Sequence, residues 1–132
     1  MIKIMFCLRR LPGMSIEAFQ AYWYEHHAPL VRQHSDALGI RRYVQSHSFA
    51  HPGLQPALDL RKGETAPYDG IAELWYDSVE AVLALNRSAE ARRAGRELLE
   101  DERKFIDLPN SPLFYTVERE VIALASTCSV GG

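Results

Sequence analysis

The order in which two hydrophobic periods alternate along this chain restricts its fold more than any single motif. Ile2, Ile4, Phe6 and Leu8 share one face of a period-two run, and Lys3, Met5, Cys7 and Arg9 share the other. Both faces are mostly apolar, which predicts a central strand. Leu11-Pro12-Gly13-Met14 turns the chain. Ser15 is placed to cap a helix, with Glu17 in the first turn where the helix dipole favours a negative charge. Ile16, Phe19, Trp23, His27, Leu30 and His34 then recur at helical spacing as one stripe. Pro29 interrupts this helix: it cannot donate to the carbonyl of Glu25, which predicts a free carbonyl and a kink. Gly39 ends the element.

Period two returns from Ile40 to Phe49, with Tyr43, Gln45 and His47 on one side and Arg42, Val44 and Ser46 on the other. It returns again from Gly70 to Tyr76, where Ile71, Glu73 and Trp75 fall together. Between them, residues 50–68 form a loop rich in Pro and Gly, with a helical turn at Ala57-Leu58-Asp59-Leu60 and a length that suits a lid or binding loop. Asp77-Ser78 caps a short helix through Ala81 to Leu85, and Ser88 starts a longer one that runs through Leu98 and Leu99 to Phe105 and Ile106. Leu108 to Pro112 breaks it, Leu113 to Leu124 reads as the last strand, and 125–132 as a loose tail. The order βαββαβ predicts an α+β domain over 1–124 of the ferredoxin-like plan, an antiparallel four-stranded sheet with its helices on one face. The other sheet face is also apolar and no element remains to cover it. That predicts a homodimer with two sheets packed face to face.

The bulk properties agree with a single domain and exclude several functions. With 132 residues, 47% hydrophobic and 24% charged, the chain can bury a core without a disulfide or metal staple. The net charge of -2 and the scattering of fifteen Lys and Arg leave no phosphate-tracking patch, so nucleic acid is not an expected partner. The apolar start is ended by Arg9 and Arg10, too short for a membrane span and unlike a signal peptide. Cys7 and Cys128 read as unrelated thiols, Cys7 as packing, which fits a reducing cytoplasm. The chain has no Gly-rich nucleotide fingerprint, phosphate loop or nucleophile elbow, so nicotinamide, ATP and serine-hydrolase mechanisms lack support.

The segment Trp23 to Leu30 holds the candidate chemistry. His27 lies on the inward stripe, one turn from Trp23 and beside Pro29. Two roles fit it: a general acid or base in an apolar pocket, or a core histidine satisfied by a neighbour. His26 projects about 100° away and reads as a bystander. Tyr43, Gln45 and His47 orient His27 or a ligand if their strand face meets the helices, and build an interface if it meets a partner chain; the first reading is adopted. Glu73 needs a partner if its face is buried, so it joins His27 and His47 as a catalytic candidate. Trp23, Tyr22, Tyr43, Trp75 and Phe105 are either core or the wall of a pocket for a flat apolar ligand. Asp101 and Glu102 read as solvated helix charges paired with Arg103 or Lys104, and Asp69 as a turn residue. No metal site is expected, because His27 and His34 lie roughly 10 Å apart along a helix and no His pair at i, i+4 or Cys cluster occurs.

Several blocks carry a family resemblance in their order. They are Ser15-x-x-x-Phe19-x-x-Tyr22-Trp23-x-x-x-His27-Ala28-Pro29-Leu30, Tyr43-Val44-Gln45-x-His47, Tyr68-Asp69-Gly70-Ile71-Ala72-Glu73-Leu74-Trp75 and Asp101-Glu102-x-x-Phe105-Ile106-Asp107. From the first strand to about Ile122 the chain resembles the EthD family. The resemblance implies a dimeric α+β barrel of the ferredoxin-like type. It also implies kinship with a bacterial protein tied to breakdown of a fuel ether beside a cytochrome monooxygenase, and with fungal dehydratases or oxygenase-like enzymes of polyketide pathways. The resulting expectation is a cofactor-independent enzyme, of oxidoreductase or dehydratase type, on a small hydrophobic compound that is aromatic or polyketide-like, with His27 moving a proton. The alternative is a non-catalytic accessory protein that binds a hydrophobic metabolite for a partner oxygenase.

Overall fold

The computed structural model describes residues 1–61 and 63–126. Strand β1 (Ile2–Leu8) runs down the centre of a four-stranded sheet of order β2-β3-β1-β4, as its two apolar faces require. Strands β2 (Arg42–His47), β3 (Gly70–Tyr76) and β4 (Leu113–Thr116) complete it, and all three pairings are antiparallel. This is the ferredoxin-like topology. Ile4 pairs with Leu74 and Phe6 with Ala72, so alternate residues of the two middle strands face the helices together.

The first helix is built in three parts. Helix α1 (Ile16–Tyr22) begins where the Ser15 hydroxyl accepts from the Ala18 N–H. A π-helical turn over Trp23–His27 follows, and α2 (Ala28–Leu38) ends at Gly39, whose φ of 65° is left-handed. The irregularity therefore precedes Pro29 and takes the form of a wide turn, in which the Ala28 N–H reaches back five residues to the Trp23 carbonyl. The extra residue per turn gives the proline ring room that a regular i−4 helix denies it.

Ser78 and Ser88 cap α4 (Val79–Ala84) and α5 (Ala89–Glu102) through their hydroxyls. Helix α5 stops at Glu102, short of Phe105 and Ile106, because Asp101 and Glu102 carbonyls take turn hydrogen bonds from Lys104 and Phe105 and the chain then bridges Arg10 at Ile106. β4 is likewise shorter than its apolar sequence suggests. Val117, Val121, Ile122 and Leu124 lie beyond it, 68–98% exposed, with no strand to pair against. The loop carries a 3-10 turn (Pro52–Leu54) and a short α3 (Gln55–Asp59), both solvent-exposed. Residues 127–132, with Cys128 and the end of the expected tail, lie outside the described residues.

The core sits between sheet and helices. Phe19, Phe105 and Leu8 are fully buried and Trp23 almost so, and Phe19 stacks against both Trp23 and Phe105 with ring centroids 5.6 Å apart. A second cluster of Val31, Leu38, Ala91, Ala94 and Leu98 closes α2 on α5. Gly70 makes the first cluster possible: a Cβ there would collide with the Trp23 ring and come within 2.9 Å of the Ser46 carbonyl. Gly70→Ala should therefore destabilise the fold by about 1–3 kcal/mol through overpacking, read as a lower denaturant midpoint with an unchanged slope.

Candidate functional site

The π-helical turn, the C-terminal end of α5 and the inner face of the sheet converge on one buried constellation. His27, 5% exposed, meets Asp101, 8% exposed, with Nδ1 2.7 Å from Oδ2. The Tyr22 hydroxyl donates to the other carboxylate oxygen at 2.6 Å. Phe105 packs against the rings of Tyr22 and His27, at 5.0 and 5.1 Å between centroids, and fixes both. Beyond His27 opens a cavity of about 210 Å³ between helices and sheet. Trp23, Val31, Ile4, Phe6 and Leu98 supply its apolar wall; Tyr43, Tyr76 and Glu102 bring the other polar groups.

Electrostatics assigns the proton positions. Burial works to raise the Asp101 carboxyl, but the hydrogen bonds from Tyr22 and His27 outweigh it and hold the group below the usual carboxylate range. Asp101 is thus ionised at neutral pH and only accepts, so Nδ1 of His27 carries the hydrogen and Nε2 keeps its lone pair. Burial also lowers the His27 pKa, against the pull of the Asp101 charge, so the ring is neutral near pH 7. The Glu102 carboxyl is pushed up to about 7 by burial and by the neighbouring Asp101 charge. Burial raises the Tyr43 and Tyr76 phenols to about 12, and both stay protonated.

Comparison with known proteins decides the family. The EthD domain model matches residues 11–109. The chain belongs to the EthD domain family. It is 30% identical over 106 residues to a conidial pigment biosynthesis dehydratase EthD of Metarhizium robertsii, covering 79% of this chain and 72% of that protein. It is 28% identical over the same length to dehydratase ustZ of Ustilaginoidea virens, covering 79% and 74%. An ethyl tert-butyl ether d (EthD) family protein of Bacillus halodurans superposes with a TM-score of 0.58 at 24% identity, over 90% of this chain and 99% of that one. That likeness extends the shared fold.

Within this EthD domain the sequence candidates separate. Tyr43 and Trp23 join His27 at the cavity. Tyr22 and Phe105 stand behind it, Tyr22 on Asp101 and Phe105 in the core. The β2 face with Tyr43, Gln45 and His47 meets the helices, but His47 does not line the cavity: it stacks on Trp23 at 4.4 Å and its Nε2 donates to Gln45 Oε1 at 2.8 Å. Gln45 in turn donates to the Trp23 carbonyl and the Tyr43 hydroxyl. Glu73 and Trp75 are not brought to His27. They project from the opposite sheet face, where Lys3 pairs with Glu73 at 3.1 Å and, with Arg42, covers the Trp75 ring. The odd residues of β1 and β3 point away from the helices, and Trp75 is buried there by cations.

Asp101 is a correction to the sequence reading. It is a buried partner of Tyr22 and His27, and Lys104 approaches it only at 3.8 Å. The available signal was its spacing: Ala91, Ala94, Leu98, Asp101 and Phe105 form the buried stripe of α5 and its exit, so Asp101 occupies an apolar position. Glu102 also departs from a solvated charge, since its side chain lines the cavity. Asp69 does more than turn the chain: it accepts from the Arg10 backbone N–H at 2.8 Å and pairs with the Arg10 guanidinium. Among the described residues no group of three His, Cys, Asp or Glu could hold a metal ion, and no helix is long and apolar enough to cross a membrane.

Because the Asp101 charge opposes the lowering of the His27 pKa, Asp101→Asn should lower it further. A histidine ring titration by NMR would place the wild-type value below 6.5 and the variant's below that. A variant value at or above wild type would refute the pairing.

Proposed function

We propose that this EthD-domain protein is an enzyme that removes water from a small hydrophobic compound, aromatic or polyketide-like, without a cofactor and with His27 as general base. One observation carries the reading: a neutral histidine with Nδ1 tied to a buried carboxylate and Nε2 left at an apolar cavity. Asp101 holds the ring in the productive tautomer and stabilises the imidazolium that forms when Nε2 takes a proton from carbon. Tyr22 keeps Asp101 in place, and the chain His47, Gln45, Tyr43 orients a hydroxyl at the cavity wall. The two relatives' names, both dehydratases, favour loss of water over oxidation.

The carrier reading has less to rest on. It calls for an open apolar cleft, whereas this cavity lies between helices and sheet beside a hydrogen-bonded His27, and none of the described residues of the 50–68 loop lines it. A homodimer through the uncovered sheet face remains part of the proposal. Met5, Val44 and Ile71 are only partly covered there and Phe114 is 48% exposed, with no helix on that side among the described residues.

Three outcomes are expected. His27→Ala should cut the rate of water loss from a turned-over hydroxy ketone by about 10²–10⁴-fold while the fold, followed by circular dichroism, is kept; wild-type turnover in this variant would remove the base assignment. Gly95 lines the cavity and a Cβ there meets nothing within 4 Å. Gly95→Leu should therefore fill the space, keep the melting temperature and abolish turnover. Light scattering at micromolar concentration should give twice the chain mass, and a one-chain mass would sink the dimer.

A further inference from the structure

We infer that Glu102 is the second catalytic group of this cavity, a carboxylic acid that protonates the hydroxyl leaving an uncharged cyclic β-hydroxy ketone while His27 takes the proton from the neighbouring carbon. The inference rests on the reading of His27 as base and adds the acid and the substrate class.

The lining supports both additions. Among the described residues no Lys or Arg lines the cavity, so a substrate carboxylate or phosphate would be buried there without a counter-charge from them. The volume of about 210 Å³ lies below the range of drug-sized pockets, which begins at roughly 300 Å³, and suits one or two rings. Removal of a proton from carbon needs a neighbour that can take up the negative charge. A ketone oxygen can, and Tyr43 and Tyr76 are neutral hydroxyls at the same wall. The Tyr43 hydroxyl accepts from Gln45, which leaves its own hydrogen for a ligand.

Glu102 is the remaining polar side chain at the cavity among the described residues. It adjoins Asp101 at the end of α5 and makes no ion pair or side-chain hydrogen bond among the described residues. His27 from the first helix, Tyr43 from β2 and Tyr76 from β3 line the cavity with it, and on its own side Asp101 raises and Arg103 lowers its pKa, which burial brings to about 7. At neutral pH a large share of Glu102 is therefore the acid form.

The step balances without an oxidant. The C–H pair moves onto the ketone oxygen as an enolate as His27 Nε2 takes the proton. It then returns as C=C while the C–O bond of the β-hydroxyl breaks, and the departing oxygen takes the Glu102 proton and leaves as water. Transfer of the His27 proton to the Glu102 carboxylate, through solvent, restores both groups.

The test uses the full chain with 3-hydroxycyclohexanone as substrate, its conversion to the enone followed by ultraviolet absorbance, and phenol as a planar analogue whose binding is measured by NMR. Glu102→Gln should lower kcat by about 10²–10⁴-fold with phenol binding unchanged. In wild type, kcat/KM should rise as His27 loses its proton below 6.5 and fall as Glu102 ionises near 7. The alkaline fall should vanish from the residual activity of Glu102→Gln and persist in Glu102→Asp, which serves as well if the glutamine variant fails to fold. Wild-type kcat in Glu102→Gln, or no alkaline fall in wild type, overturns the acid role. Loss of activity in His27→Ala beside full activity in Glu102→Gln leaves the base reading standing and removes only the acid. If wild type neither binds phenol nor converts the ketone, the substrate class is wrong.

Discussion

The contact between His27 and the Asp101 carboxylate organises the rest of the molecule. It joins the π-helical turn of the first helix to the end of α5 across residues 74 apart in sequence, with Tyr22 closing the other side. A carboxylate buried to this degree is tolerated only because it is hydrogen-bonded twice. Satisfying it requires both helices to arrive in one relative position, and Phe105 fills the angle between them. The same contact that resolves a buried charge thus sets the histidine tautomer.

The sheet divides its labour by parity. Even residues of β1 and β3 pack under the helices and wall the cavity, and odd residues face away with Lys3, Glu73 and Trp75. A one-residue shift in register would exchange the faces, so the site depends on pairings such as Phe6 with Ala72. Gly70 belongs to this scheme: the absence of a side chain lets the Trp23 ring pack against β3, and His47 stacks on Trp23.

Much of this was legible in the sequence. The order of periods two and 3.6 identified every strand and the helices between them, and β3 and the Ser15, Ser78 and Ser88 caps lie where the pattern puts them. The inward placement of His27 and Trp23 followed from the stripe. The length of β4 did not, because an apolar run can lie exposed beyond a strand as readily as within it. Glu73 and Trp75 misled for a related reason: alternation shows which residues share a face but not which face meets the helices.

The sequence by itself determined the fold class, the central strand, the family blocks and the inward face of His27, because each depends on local periodicity and capping. Only the tertiary structure decided that Asp101 is the partner of His27, that Glu102 reaches the cavity and that His47 is bonded to Gln45. Those contacts join residues far apart along the chain, and a carboxylate on a charged helix looks solvated until packing removes the water around it.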